Sequence, residues 1–178
     1  MIIALAGRRV DAIDASQPRF PPQDIDKVSA AVRALLKQHG ATAVVSSAAC
    51  GADLIGLAEA GKLGLRRRIV LPFGRTKFRE SSVVDRPGDW GKMYDTILDD
   101  VEANGDLVVI DTGNDKEPYA VTNAAILDQA IVLGRERGVA VAATLVWDGI
   151  SRGKDDYTDQ FGAEARKRGL PVMEVPTI

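Results

Sequence analysis

Short runs of apolar residues alternate along the chain with segments whose apolar residues recur at helical spacing. The runs are dense in Val, Ile, Leu and Ala and do not alternate strictly with polar residues, a pattern typical of strands covered by helices on both faces. Such strands favour a parallel sheet. The six runs lie near residues 2–6, 43–47, 68–72, 107–111, 139–147 and 171–175.

Helices are predicted between these runs from apolar spacing and from residues that end helices. In the first, the apolar stripe includes Val28, Val32 and Leu36. Gly40 ends that stripe. The alternation predicts a three-layer, doubly wound α/β fold of the Rossmann-like kind, with a mostly parallel sheet of about six strands. The helices are expected at about residues 23–38, 52–62, 89–102, 118–137 and 157–168.

Length and composition are those of one ordinary globular domain spanning residues 1–178. Its 25 acidic and 23 basic side chains give no general attraction to nucleic acid. No apolar window is long enough for a membrane span, and a single cysteine fits a reducing compartment, so we expect a cytoplasmic protein. The spacing of Cys and His residues predicts no metal site, and we expect no required cofactor.

Three of the apolar runs end on small or turn-forming residues just before a helix begins. In a parallel sheet such tips line one crevice, where helix N-termini attract anions. The second tip is the most informative, because Gly51 permits close backbone approach while Ser47 and Asp53 add polar side chains. The tips therefore predict a site for a nucleotide or another phosphorylated small molecule.

Two long irregular segments are predicted after strands at the same edge. Residues 10–22 are rich in proline, and residues 73–88 carry several arginines and two serines. Loops of that length are uncommon in a compact domain and often cover binding sites. We expect both segments to flank the crevice.

Several short motifs along nearly the whole chain match those of one superfamily. They are Ala6-Gly7-Arg8-Arg9 with Asp11, Arg19-Phe20-Pro21, Ser47-Ala48-Ala49-Cys50-Gly51-Ala52-Asp53-Leu54 with Glu59, Leu71-Pro72-Phe73, Phe78, Ser82-Val83 and Val146-Trp147-Asp148-Gly149. In these motifs the chain resembles the SLOG superfamily, a Rossmann-like group that includes the cytokinin-activating LOG enzymes, the DNA-processing protein A and sensor domains for nucleotide-derived signals. The likeness is to its signalling-associated, nucleotide-binding branch.

One motif of the catalytic members of that superfamily is missing. LOG-like phosphoribohydrolases carry Pro-Gly-Gly-x-Gly-Thr-x-x-Glu after the fourth strand, which supplies a phosphate loop and a catalytic glutamate. Residues 110–123 of this chain contain neither the diglycine loop nor that glutamate. Hydrolysis of an N-glycosidic bond needs a positioned carboxylate. The resemblance therefore favours a sensor or ligand-binding domain over an enzyme.

The candidate ligand-binding residues divide by the part of a nucleotide that each would contact. Arg8 and Arg9 follow a strand tip, where a guanidinium can hold phosphate through two hydrogen bonds. Asp148 would accept from ribose hydroxyls, and Tyr119 and Asn123, one helical turn apart, would contact sugar or base. A tight turn, a helix cap or a surface ion pair is the alternative role at these positions. The full set is Gly7, Arg8, Arg9, Ser47, Ala48, Gly51, Asp53, Tyr119, Asn123, Asp148 and Gly149.

Two other functions stay open at this stage. One is a nucleoside 5′-monophosphate glycosidase of the LOG-like phosphoribohydrolase kind, or a ribosyl transferase, with Glu59 as the acidic catalytic residue. The other is single-stranded DNA binding through the arginines of residues 75–86. The leading expectation is a small nucleotide or nucleotide-derived partner, with neither membrane nor nucleic acid, bound by a homo-oligomer.

Overall fold

The sheet has parallel pairing throughout the part of the chain that the structure describes. The computed structural model describes residues 1–113 and 117–178. The strands are β1 (Ile2–Gly7), β2 (Ala43–Ser46), β3 (Arg66–Leu71), β4 (Leu107–Val109), β5 (Val141–Trp147) and β6 (Val172–Pro176). They lie in the order β4-β3-β2-β1-β5-β6, and every neighbouring pair is parallel. The predicted α/β fold with a mostly parallel sheet of about six strands is confirmed.

The helices cover both faces of this sheet. A 3-10 turn at Pro22–Asp24 precedes the first of them. No helix in the described ranges is long and apolar enough to cross a membrane. The helices are α1 (Ile25–Gln38), α2 (Ala52–Lys62), α3 (Arg75–Ser82), α4 (Trp90–Ala103), α5 (Pro118–Arg137) and α6 (Tyr157–Lys167).

Helix α3 lies within residues 73–88, where the sequence predicts an irregular segment, and that prediction is wrong in this respect. Only Phe78 and Ser82 of this helix are buried, so its sequence lacks the apolar stripe that predicts a helix. Tertiary contacts hold it instead. The ring of Phe78 stacks on that of Tyr94 in α4, with 6.3 Å between the ring centroids.

Alternate residues of the central strand enter two separate apolar layers. Ile3 and Leu5 of β1 pack in the layer that contains α1, α2 and α4. Ile2 and Ala4 pack in the layer that contains α5 and α6. Burial on both faces explains why the strand sequences do not alternate with polar residues.

The strand order reverses between β1 and β5. Strands β1 to β4 follow one another toward one edge, and α5 then returns the chain to the other side of β1, where β5 pairs with it. In open α/β sheets, ligands bind outside the carboxyl ends of the strands at such a switch point.

Candidate functional site

A cavity of about 530 Å³ lies at the carboxyl edge of the sheet, beside the ends of β1 and β2. This volume is within the range of small-molecule sites, about 300 to 1,000 Å³. Both long segments that are predicted to flank the crevice contribute to its wall, as do the first turns of α5 and α6. The predicted ligand-binding residues that line it are Gly7, Arg8, Arg9, Ser47, Asp53, Tyr119 and Asn123.

Four predicted ligand-binding residues do not line the cavity. Ala48 is fully buried in the apolar layer beside α2. The side chain of Asp148 is enclosed, at 2% exposed, by the arginines that bind it. Gly149 is exposed beyond the end of β5. Gly51, the fourth, has a structural role of its own.

Gly51 allows two backbone segments to approach each other closely. Its φ of 99° lies in the region that favours glycine, and a Cβ there would stand 2.6 Å from the amide nitrogen of Val10 and 2.7 Å from the carbonyl oxygen of Arg8. The next amide, that of Ala52, donates to the same Arg8 carbonyl over 3.0 Å. The glycine therefore fixes the turn between β2 and α2 against the end of β1 and does not itself contact the cavity.

Glu59, the acid of the glycosidase alternative, lies on α2 outside the cavity lining. Its carboxylate accepts hydrogen bonds from Arg33 Nε at 2.5 Å and from Lys62 Nζ at 2.8 Å. Burial raises the pKa of Glu59, but these two partners outweigh burial, and the net pKa is below its usual value. Glu59 is thus an ion-pair partner between α1 and α2, and the glycosidase alternative loses its proposed acid.

Arg8 lines the cavity, but its guanidinium is bound within the protein. Nε donates to Asp148 over 2.8 Å, Nη1 to Asp156 over 2.6 Å and Nη2 to the carbonyl of Ile150 over 2.6 Å. The side chain is only 3% exposed. The group that the sequence assigns to ligand phosphate therefore holds two carboxylates of the chain itself.

Asp156 supplies an internal anion at the start of α6. Its Oδ1 accepts from the amides of Thr158 and Asp159, and its Oδ2 accepts from the amide of Arg152. Burial raises the pKa of Asp156, but the Arg8 and backbone hydrogen bonds dominate and lower it to about 2. A carboxylate thus fills the anion position that a helix N-terminus offers. Sequence reasoning missed this residue, although an aspartate before a helix is a capping signal.

Asp148 is shared between two arginines and is not available to a ribose hydroxyl. Its second oxygen accepts from Arg19 Nη1 at 2.6 Å. The backbone amides of Arg19 and Phe20 donate in turn to Asp11 at 2.9 and 3.0 Å. The Arg-Phe-Pro motif therefore anchors the loop after β1.

A tyrosine pair forms one aromatic part of the cavity wall. The rings of Tyr119 and Tyr157 are tilted by 56° with 5.5 Å between centroids. Tyr119 OH lies 3.3 Å from Ser82 Oγ, and Asn123 Nδ2 donates to the carbonyl of Tyr157 over 2.7 Å. These contacts join α3, α5 and α6 around the cavity.

Several lining residues are not among the ligand-binding predictions. Those in the first turns of α5 and α6 follow strands at the same sheet edge, so the strand-tip rule already contains the signal for them. The local sequence of these first turns is also that of an ordinary helix N-terminus, so it does not by itself indicate a binding site. The additional polar lining residues are Asp11, Ser16, Gln17, Arg19, Ser82, Arg86, Thr122, Arg152, Tyr157 and Thr158.

Asp53 is a largely buried carboxyl in the cavity wall, 7% exposed. The amide of Ala49 donates to its Oδ2 over 3.2 Å. Burial raises the pKa of Asp53 to about 7, because it outweighs that hydrogen bond and the charge of Arg9, both of which lower the pKa. The carboxyl therefore changes charge near neutral pH.

The arginines of α3 are paired with carboxylates of α4. Arg75 Nη2 lies 2.7 Å from Asp99 Oδ1, and Arg79 Nε lies 2.9 Å from Asp95 Oδ1. These pairs reduce the free positive charge that the single-stranded DNA alternative requires. Within the described residues, no group of three or more His, Cys, Asp or Glu side chains is placed to hold a metal ion.

Comparison with known proteins yields a weak structural likeness. No protein-family model matches the chain, and no curated protein matches it. Among solved structures, the chain is similar to DNA processing protein A from Streptococcus pneumoniae, with 14% sequence identity and a TM-score of 0.41. The match covers 97% of this chain but 58% of that one, so the chain spans less than two thirds of that protein. A likeness at this level carries no argument about function.

Residues 114–116, part of the stretch that departs from the LOG-like motif, lie outside the described residues. The absence of the diglycine loop and of its glutamate is read from the sequence of residues 110–123 and does not depend on their structure. Membership of the signalling-associated branch stays a prediction.

Proposed function

We propose that the protein binds a nucleotide or a nucleotide-derived small molecule in the cavity at the switch point, as a sensor or ligand-binding domain. The observation that carries the proposal is the presence, in one cavity, of a tyrosine pair and of arginine side chains. Aromatic faces stack on bases, and guanidinium groups bind phosphate through charge-assisted hydrogen bonds.

The remaining lining residues suit the sugar of such a ligand. Ser16, Ser47 and Thr122 supply hydroxyl groups, and Asn123 supplies an amide. A few polar groups that fix orientation within a partly apolar wall are typical of small-molecule sites.

Two acidic side chains lie in the cavity wall, and neither is the glutamate of the LOG-like motif, which supports binding without turnover. Among the described residues, Asp11 and Asp53 are the carboxylates that line the cavity. Asp11 accepts two backbone hydrogen bonds, and the raised pKa of Asp53 keeps much of it uncharged at neutral pH. Asp11 is therefore held by the loop after β1, and neither residue stands at the position of the missing LOG-like glutamate.

Calorimetric titration of the full chain with AMP, ADP-ribose and cyclic AMP tests the proposal. Tyr157→Ala removes one ring of the pair and should weaken binding about ten- to a hundredfold, the effect of one lost base stack. Tyr157→Phe keeps the ring and serves as the matched control. Absence of heat above background with all three nucleotides would contradict binding, and free base with ribose 5-phosphate after incubation would contradict a purely binding role.

A further inference from the structure

Arg86 has a buried hydrogen-bond donor with no acceptor. Its Nε is shielded from solvent, and no atom of the described residues accepts a hydrogen bond from it. Its closest carboxylate contact is to Asp85 Oδ2, at 3.9 Å, which is beyond hydrogen-bond distance. Buried arginine donors are nearly always paired, and Arg86 lines the cavity.

The reason for this unpaired donor lies in the neighbouring arginine. Arg9 is bound directly to Asp85 through Nη2, and Arg9 Nε contacts Cys50 Sγ at 3.5 Å. Two arginines thus share one carboxylate, and only Arg9 hydrogen-bonds to it, which leaves Arg86 Nε without an acceptor.

Two hydroxyl groups that line the same cavity as Arg86, those of Ser82 and Tyr119, can add a proton donor. Ser81 Oγ lies 3.2 Å from Ser82 Oγ, which lies 3.3 Å from Tyr119 OH, and either atom of each pair can donate. If Ser81 donates to the Phe78 carbonyl, 3.4 Å away, Ser82 can donate to Tyr119. The phenol proton of Tyr119 is then available to a ligand in the cavity.

Two of the last carbonyl groups of α3 accept hydrogen bonds from the chain itself. The carbonyl of Ser82 accepts from the amide of Cys50 over 3.0 Å. The carbonyl of Arg79 accepts from the amides of Val83 and Val84. These hydrogen bonds reduce the partial negative charge that the end of α3 presents to an anion.

We infer that Arg86, with Ser82 and the hydroxyl of Tyr119, forms the subsite that takes a phosphate group of the ligand. The inference rests on the proposed nucleotide-binding function and assigns the phosphate to Arg86 instead of Arg8, whose guanidinium is bound to carboxylates. Tyr119 belongs both to the aromatic wall that would contact the base and to the phosphate subsite. Its ring faces Tyr157, and its hydroxyl marks the phosphate end.

Calorimetry with AMP and adenosine measures the contribution of the phosphate alone. The wild-type chain should bind AMP about ten- to a hundredfold more tightly than adenosine, the effect of one or two charge-assisted hydrogen bonds. Arg86→Gln should remove most of this preference and leave adenosine binding unchanged. Tyr119→Phe, which keeps the ring, should remove part of it, and Arg86→Lys should restore part of the loss because it keeps the charge.

Arg137→Gln is the matched control, since Arg137 is an exposed arginine in the last turn of α5, at the other edge of the sheet. It should keep the full preference for AMP. The thermal unfolding midpoint of Arg86→Gln should equal that of the wild type, which separates a binding effect from misfolding.

The possible failures are distinguishable. If the wild type binds both ligands and Arg86→Gln keeps the full preference for AMP, the subsite is overturned and nucleotide binding stands. If the wild type binds neither ligand, the proposed function fails, and pyrophosphate followed by ³¹P NMR decides the subsite separately. Pyrophosphate binding that Arg86→Gln abolishes supports an anion site. Its absence in the wild type, or binding that Arg86→Gln leaves unchanged, overturns the subsite as well.

Discussion

Arg8 Nη1 lies 2.6 Å from Asp156 Oδ1, and the two side chains are 3% and 0% exposed. This ion pair joins the residue after β1 to the residue that caps α6. Trp147, the last residue of β5, adds its ring 5.4 Å from the Arg8 guanidinium. The pair therefore joins the end of β1 to the start of α6, beside the cavity that Arg8 lines.

Removing Arg8 should destabilise the fold. Arg8→Met would leave Asp148 and Asp156 as buried carboxylates without their shared cation, and breaking such a pair costs about 3 to 5 kcal/mol. Guanidinium denaturation of the variant and the wild type measures the change in the free energy of unfolding. Arg137→Met is the control and should change it by less than about 0.5 kcal/mol. A loss below about 1 kcal/mol for Arg8→Met would show that the network is not structural.

Asp156 should make the protein sensitive to acid. The pKa of Asp156 is about 2 in the folded protein, against 3.8 for an ordinary aspartate such as that of the unfolded chain. Between these two pH values the folded chain therefore binds fewer protons than the unfolded chain. The stabilisation is present above about pH 4 and is lost as the pH falls toward 2. We expect the difference in unfolding free energy between wild type and Asp156→Asn to shrink by roughly 2 kcal/mol over that range. Denaturation curves between pH 5 and 2.5 check this, and a constant difference would refute it.

The strands and most helices could be predicted because burial leaves a strong pattern in the sequence. Helices α2 and α5 occur at the predicted residues 52–62 and 118–137, where Gly51 precedes the first helix and Pro118 and Gly138 mark the limits of the second. Helix α3 could not be predicted in this way. Its stability comes from the Phe78–Tyr94 stack and from ion pairs with α4, which only the fold brings together.

The position of the site could be predicted from the sequence, but the partners of its charged side chains could not. Strand tips placed Gly7, Ser47 and Asp53 at the cavity, because parallel strands end at one edge. They did not show that Arg8 binds Asp148 and Asp156, which follow it by 140 and 148 residues. An arginine after a strand tip has the same local sequence whether it contacts a ligand or a distant carboxylate.

Gly51 should tolerate no side chain. Gly51→Ala combines a φ of 99° with a Cβ contact of 2.6 Å to backbone, so a loss of at least about 2 to 3 kcal/mol is expected from strain and displaced backbone. Gly64→Ala is the matched control. Gly64 also has a positive φ, 67°, but a Cβ added there would meet no atom within 4 Å, so this variant should lose only about 1 to 2 kcal/mol. Urea denaturation that gives equal losses would argue against the close contact.

Asp53 should make stability fall as the pH rises toward neutrality. Its folded-state pKa of about 7 exceeds the ordinary 3.8, because burial disfavours the charged form, so the folded chain binds more protons than the unfolded chain between these values. The contribution of Asp53 is therefore fully favourable below about pH 4 and is lost as the pH passes 7. Asp53→Asn stays uncharged and removes this dependence.

Paired measurements on wild type and Asp53→Asn isolate the effect from all other titrating groups. Urea denaturation should show the variant gaining stability relative to wild type by a few kcal/mol between pH 4.5 and 7.5, with no further gain above pH 8. The ratio of their AMP dissociation constants should also change from pH 6 to 8, because ionised Asp53 repels phosphate in the same cavity. A stability difference that is constant with pH would place the Asp53 pKa near its ordinary value.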